Sequence, residues 1–135
     1  MTEINEKTIL VDLQRCIGCW TCSLACKVGN NLPDEEFWLT VRTQGSGEGI
    51  DRPAGTWPNL HMSWIPIWSQ SCVKCPSRTA KGDKPYCVNS CPCGALTIGD
   101  EAAAKKEELR ERGFRFFAMP PWESTRDGVV YAEKK

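Results

Sequence analysis

A single histidine, His61, stands among the 135 residues, and neither sign of charge is in excess, with 17 basic and 17 acidic side chains. Without a clustered basic stretch there is no electrostatic footprint for nucleic acid and no polybasic stripe for an anionic membrane. Long apolar runs are missing too. A spanning helix needs about 18 or more consecutive apolar residues, and the densest stretch, Trp64 to Trp68, is broken by Pro66. Direct membrane insertion is therefore not expected. The opening residues, Met1 to Glu6, lack a cationic segment followed by an apolar one, so no secretory signal is read there. A cytoplasmic location is the default expectation, with export alongside a signal-bearing partner as the other route. Catalytic motifs are also wanting: no G-x-S-x-G, H-E-x-x-H or P-loop occurs. Gly45, Gly47 and Gly49 form a glycine run, but it does not match G-x-G-x-x-G and no helix is expected after it. The chain has no visible means of transforming a substrate by itself, and it is not expected to be an enzyme alone.

Cysteine is what the sequence has in quantity. Nine is a high count and an odd one. A disulfide scaffold normally comes with secretion and an even number, so metal binding in a reducing compartment is the better expectation. The first run is Cys16, Cys19, Cys22 and Cys26, spaced C-x2-C-x2-C-x3-C. The second is Cys72 and Cys75, then Cys87 and Cys91 followed by Pro92. A loop with a cysteine every third residue can fold around one compact body and aim three sulfurs inward. A fourth cysteine four residues on lies about one helical turn further, roughly 6 Å away. It is poorly placed for the same body and well placed for a neighbouring one. In two-cluster ferredoxins the fourth cysteine of each run does serve the other cluster. The expected assignment is therefore cluster A on Cys16, Cys19, Cys22 and Cys91, and cluster B on Cys72, Cys75, Cys87 and Cys26, both of the 4Fe-4S type. The competing reading is structural zinc in two four-thiolate sites, but zinc ribbons usually pair two CxxC units.

Cys93 is left over and is read first as a small buried thiol, with a spare ligand or redox-labile thiol as the sharper alternative. His61 is not assigned to metal. Trp20 lies inside the cluster-A loop, where it could shield the cluster from water. Lys74 lies inside the cluster-B loop, where its charge could raise a potential, although a solvated lysine is the simpler reading.

The rest of the chain reads as strands and one clear helix. Thr8 to Leu13 and Phe37 to Thr43 have strand character, as do His61 to Trp68 and Leu96 to Ile98. Residues 44–59 are rich in glycine and proline and read as a loop. Asp100 is expected to cap a helix over Glu101 to Arg112, closed by Gly113, with Glu101–Lys105 and Glu108–Arg112 pairs on its surface. Its apolar face is thin, so surface packing is expected. From Phe114 on, Phe116, Phe117, Pro120, Pro121 and Trp122 make a tail too apolar to be free, expected to wrap over the core or under a partner.

At the cysteine runs the chain resembles the iron–sulfur subunits of molybdopterin oxidoreductases of the dimethyl sulfoxide reductase family. The Cys-Ile-Gly-Cys-x-x-Cys-x-x-Ala-Cys-Lys stretch at 16–27 resembles their first cluster motif. The Cys72 to Cys91 stretch, with Arg78, Gly82, Pro85 and Cys87-Val88, resembles their last one. The similarity continues through Cys91-Pro92, Gly94-Ala95-Leu96 and Ile98-Gly99-Asp100, and Val129-Val130-Tyr131 fits the way such subunits finish. Typical members carry four cysteine groups, whereas this chain has two, as if the middle ferredoxin unit were missing. The resemblance implies an electron-transfer subunit serving a large molybdopterin-containing catalytic subunit, with a further electron carrier or membrane anchor as additional partners. The expected fold is a single α+β, ferredoxin-like domain over 1–135, with two 4Fe-4S clusters, a loop insertion at 44–59 and a helix with wrapping tail at 101–135. A free, diffusible ferredoxin-like carrier is the first alternative, disfavoured by the neutral charge. A zinc-stabilised interaction module is the remote one.

Overall fold

The computed structural model describes residues 4, 7–43, 54–70, 72–73, 75–118 and 128–134. Its elements are β1 (Ile9–Asp12), α1 (Thr21–Gly29), β2 (Leu39–Thr43), β3 (Ala54–Thr56), β4 (Asn59–His61), β5 (Trp64–Trp68), α2 (Pro76–Thr79), α3 (Tyr86–Ser90), β6 (Leu96–Ile98), α4 (Asp100–Glu111), β7 (Phe114–Phe117) and β8 (Val129–Lys134). The mixture of helices and sheets agrees with the α+β expectation and is compatible with a ferredoxin-like iron–sulfur subunit. Among the described residues, no helix is long and apolar enough to cross a membrane.

The main sheet has the order β6-β1-β8-β7. β1 runs antiparallel to β6, with Val11 opposite Leu96, and parallel to β8, with Val11 opposite Tyr131. Side chains alternate across a strand, and here both faces are covered. Ile9, Val11, Val129 and Tyr131 join the core that holds Leu39, Trp68, Cys72 and Cys87. Leu10, Val130 and Ala132 face the other way and pack with Ala102, Leu109 and Phe114. The first of these faces is the one that carries the cysteines. β2 and β5 form a separate antiparallel pair, Leu39 opposite Trp68 and Val41 opposite Pro66. The buried Tyr131 hydroxyl donates to the Pro66 carbonyl at 2.7 Å, tying that pair to the main sheet.

Several expectations are corrected. The loop assigned to 44–59 contains β3, which pairs with β4 as a short hairpin, Ala54 opposite His61. Gly45, Gly47 and Gly49 lie outside the described residues. Asp100 is the first helical residue of α4 and not its cap. Gly99 holds that position, with no side-chain cap bond, and Asp100 acts through its charge in the first turn. Gly113 does close the helix end with positive φ, 86°. In place of the expected Glu101–Lys105 and Glu108–Arg112 pairs, the ion pairs along this helix include Lys84–Glu101 at 3.1 Å, Lys105–Glu108 at 3.7 Å and Glu107–Arg110 at 3.6 Å. α4 is more than a surface helix: Ala102 and Leu109 are wholly buried and cover one face of the sheet. The expected wrapping tail is, over its last described residues, β8, an inner strand flanked by β1 and β7. Trp122 and its two preceding prolines fall outside the described residues.

Candidate metal centre

Cys72, Cys87 and, partly buried, Cys22 and Cys91 pack into the core on the β2/β5 side of the main sheet, beside the contact of α1 with α3. Residues 16–20 form a loop, and the chain enters α1 through Trp20 in the left-handed region, φ 63°. Gly18 has φ 71°, and a Cβ there would come within 2.5 Å of the Trp64 ring, so glycine is what lets this loop close against β5. The second run repeats the device, with Cys75 at φ 49° leading into α2. A non-glycine residue in this region costs about 1–2 kcal/mol, so both loops are held tight by their surroundings.

Cys22 and Cys26 sit one turn apart on α1, and Cys87 and Cys91 one turn apart on and just after α3. The two helices run in opposite directions. Gly29 at the end of α1 lies so close to Tyr86 at the start of α3 that a Cβ would sit 2.5 Å from the Tyr86 ring. This crossing sorts the thiols into two groups. Cys16, Cys19, Cys22 and Cys91 line one cavity, which Cys93 also lines. Their charges act on one another: Cys91 and Cys19 on Cys16, and Cys16, Cys91 and Cys19 on Cys22. In the second group Cys72 and Cys75 act on Cys26, while Cys72, Cys26 and, last, Cys22 act on Cys87. Cys26 thus sits with the second run and Cys91 with the first. Among the described residues, no three cysteine, histidine, aspartate or glutamate side chains converge on a position for a single metal ion. The first quartet surrounds a space and not a point.

Burial is the main influence on these thiols. It pushes Cys22 up to about 12 and Cys26 up to about 11, with neighbouring thiolates adding to it. Burial likewise raises Cys87 and Cys16. The exposed Cys19 goes the other way: the Thr21 hydroxyl, 3.2 Å from its sulfur, and the Thr21 amide favour its thiolate. At neutral pH the Cys22 and Cys26 thiols are therefore protonated, and a metal that binds them displaces those protons. N–H donors point at several of the sulfurs. Asn30 Nδ2 donates to Cys26 Sγ at 3.6 Å and to Cys75 Sγ at 4.0 Å. The Ala95 amide donates to Cys91 Sγ at 3.3 Å, and the Trp68 indole to the Cys87 sulfur. Soft thiolates in fours, with N–H donors on their sulfurs, are the donor chemistry an iron–sulfur cluster takes.

Asn30, Trp68, Gly18 and Gly29 were not singled out from the sequence. Only Asn30 carried a local signal, four residues after Cys26 and so on the same helical face. Trp20, half-exposed, lines the first cavity and packs edge-on against Phe37 at 6.4 Å. Near the end of α1, Lys27 Nζ donates to the carbonyls of Pro33, Asp34 and Glu36 at 2.6–2.8 Å, which pins the segment leading to β2. His61 ends β4, away from both cysteine runs in sequence. Lys74 lies outside the described residues.

No protein-family model matches the chain. Among curated proteins it is 34% identical over 114 residues to a protein of Halobacterium salinarum named as an iron–sulfur subunit of dimethyl sulfoxide reductase, covering 80% of this chain and 39% of that one. It is 34% identical over 88 residues to the arsenate respiratory reductase iron–sulfur subunit of a Shewanella species, covering 65% and 30%. It is 33% identical over 111 residues to one of the chains of the anaerobic dimethyl sulfoxide reductase of Escherichia coli, covering 81% and 40%. The chain thus spans about two fifths or less of the length of these relatives. By sequence it is a homologue of the iron–sulfur subunits of this family of reductases.

Proposed function

We propose that the chain is an electron-transfer subunit, relaying single electrons through two 4Fe-4S clusters to or from a molybdopterin catalytic subunit that holds molybdenum or tungsten. What supports this reading is that Cys91, from the second run, lines the same cavity as Cys16, Cys19 and Cys22, while Cys26, from the first run, lies near enough to Cys72 and Cys75 for their charges to act on it. Cluster A is held by Cys16, Cys19, Cys22 and Cys91, and cluster B by Cys72, Cys75, Cys87 and Cys26. Each cluster supplies a one-electron couple when bound, with a potential set by burial, charge and hydrogen bonds to sulfur. The protein's own contribution is to seat the thiolates, exclude water and aim N–H groups. Asn30 serves the Cys26 and Cys75 sulfurs, Trp68 serves Cys87, and Ala95 serves Cys91. Kinship with subunits of reductase complexes favours a dedicated partner over a freely diffusing carrier.

The test is anaerobic affinity purification from the native cell, with iron, zinc, molybdenum and tungsten counted in the product. About eight irons per chain, with a large co-purifying chain carrying molybdenum or tungsten, is the expected result. Iron on an isolated small chain would replace the subunit reading with the free carrier. Zinc without iron would overturn the reading entirely.

A further inference from the structure

Cys93 is a ninth cysteine that the two quartets leave unused. It sits on the turn between α3 and β6, where the Gly94 amide donates to the Cys91 carbonyl at 3.4 Å. The simple expectation of a buried thiol does not describe it, because it is only half-buried. More to the point, it lines the same cavity as Cys16, Cys19, Cys22 and Cys91, so that space is lined by five cysteines where a cubane uses four. Cys93 lies near enough to Cys16 for its charge to act on that thiol. Cys91, by contrast, has its sulfur engaged by the Ala95 amide.

We propose that Cys93 is a reserve ligand of cluster A, able to take over the iron bound by Cys16 when that bond is lost. The inference rests on the two-cluster reading above. The exchange is balanced by itself. The Fe–S bond to Cys16 breaks and its sulfur takes up a proton, while the Cys93 thiol gives up a proton as its own Fe–S bond forms. One thiolate replaces another, so iron keeps its oxidation state and the cluster its charge, and no oxidant or reductant is consumed. Gly94, directly after Cys93, has φ 64°, the left-handed conformation that glycine adopts freely, so it can turn the chain sharply right beside Cys93.

The experiment compares the full chain, purified anaerobically with any partner it carries, as wild type, Cys16→Ala, Cys19→Ala, Cys93→Ala and the double variant Cys16→Ala/Cys93→Ala. Iron content, low-temperature electron paramagnetic resonance and alkylation of free thiols are read on each. Wild type and Cys93→Ala should hold the same iron. Cys16→Ala should keep it too, with a shifted cluster-A signal. Cys19→Ala and the double variant should each lose iron about twofold, since one of two clusters is gone. In the iron-loaded wild type Cys93 should alkylate, and in iron-loaded Cys16→Ala it should be protected. If Cys16→Ala does not fold, Cys16→Gly, which likewise leaves no ligand at that position, is put through the same alkylation, with protection of Cys93 again expected. Loss of cluster A in Cys16→Ala as complete as in Cys19→Ala would overturn the inference and leave the two-cluster reading intact. An unreactive Cys93 in the wild type, or retention of cluster A in the double variant, would overturn it as well. Wild-type protein without iron would remove the two-cluster reading itself, and this inference with it.

Discussion

At the residue scale the chemistry lies in where each sulfur ends up, and the spacing bears on the local part of that. A C-x2-C-x2-C loop acts over a few residues, so its capacity to surround one body is visible in a sequence. What a sequence does not carry is the crossing of α1 and α3, which sets Cys26 beside Cys72 and Cys75. The Cys26→Ala variant tests that placement. Iron should fall about twofold, cluster B should vanish, and the signal of the cluster held by Cys16, Cys19 and Cys22 should persist. Loss of the cluster-A signal first would show that the exchange between runs is wrong. The donors on the sulfurs were hidden for a related reason. Trp68 reaches Cys87 across tertiary structure, with no positional signature linking residues 68 and 87.

The same thiols give a pH dependence in the iron-free chain. Burial raises Cys22 to about 12 and Cys26 to about 11, from an ordinary value of 9.0. A raised folded-state value means that the unfolded chain loses its protons first as pH climbs. The stability linked to these groups is therefore complete below about 9 and is lost as pH rises through 11 to 12. The melting temperature of the iron-free chain should drop across that window, and Cys22→Ala should flatten the drop. An unchanged slope in that variant would remove Cys22 from the account.

At the scale of elements, the reading succeeded where the pattern is local and failed where tertiary pairing decides. β1 and β6 announced themselves by β-branched and apolar residues. β8 was recognised as a strand, but nothing in Val129-Val130-Tyr131 says that it lies between β1 and β7. α4 was judged by its thin apolar face, yet two well-placed residues, Ala102 and Leu109, suffice to cover a narrow sheet. The approach of α1 to α3 is set by Gly29. In an isolated helix Gly→Ala is favourable by about 1 kcal/mol. Here the new Cβ would meet three Tyr86 ring atoms at 2.5–2.7 Å, and Tyr86 is backed by the Arg78 guanidinium 4.5 Å from its ring. Overpacking costs about 1–3 kcal/mol, so Gly29→Ala should be net destabilising. Because the helices part at the Cys26–Cys87 end, cluster B should be released by chelator several-fold faster than in wild type while cluster A is little changed. Equal release of both clusters would mean that the helix pair moves as one block.

Across the whole molecule the main sheet divides two kinds of stabilisation. On one face α4 packs through Ala102 and Leu109 onto Leu10, Val130, Phe114 and Ala132, with no cysteine involved. On the other face α1, of 9 residues, and α3, of 5, pack through Cys22, Cys87 and Val88, and the second cysteine run continues into α2, of 4. Isolated helices shorter than about 12–15 residues are marginal in water. These three are joined by loops that hold left-handed residues, so their order depends on packing and on what the thiolates bind. On the two-cluster reading, metal binding energy is then folding energy for this half. Stripping iron with a chelator under anaerobic conditions should therefore act unevenly. In hydrogen–deuterium exchange, amides of α1, α2 and α3 should lose protection by at least about tenfold, the equivalent of about 1.4 kcal/mol. Those of β1, β8 and α4 should change little. Tyr131 is the link that decides how far the loosening spreads, since its ring lies in the cysteine-side core and its hydroxyl holds the Pro66 carbonyl. If the sheet loses protection together with the helices, the clusters hold both faces in one cooperative unit, and Tyr131→Phe should then uncouple them. If the sheet stays protected, the cysteine half is a structure that the metal completes on a scaffold already formed.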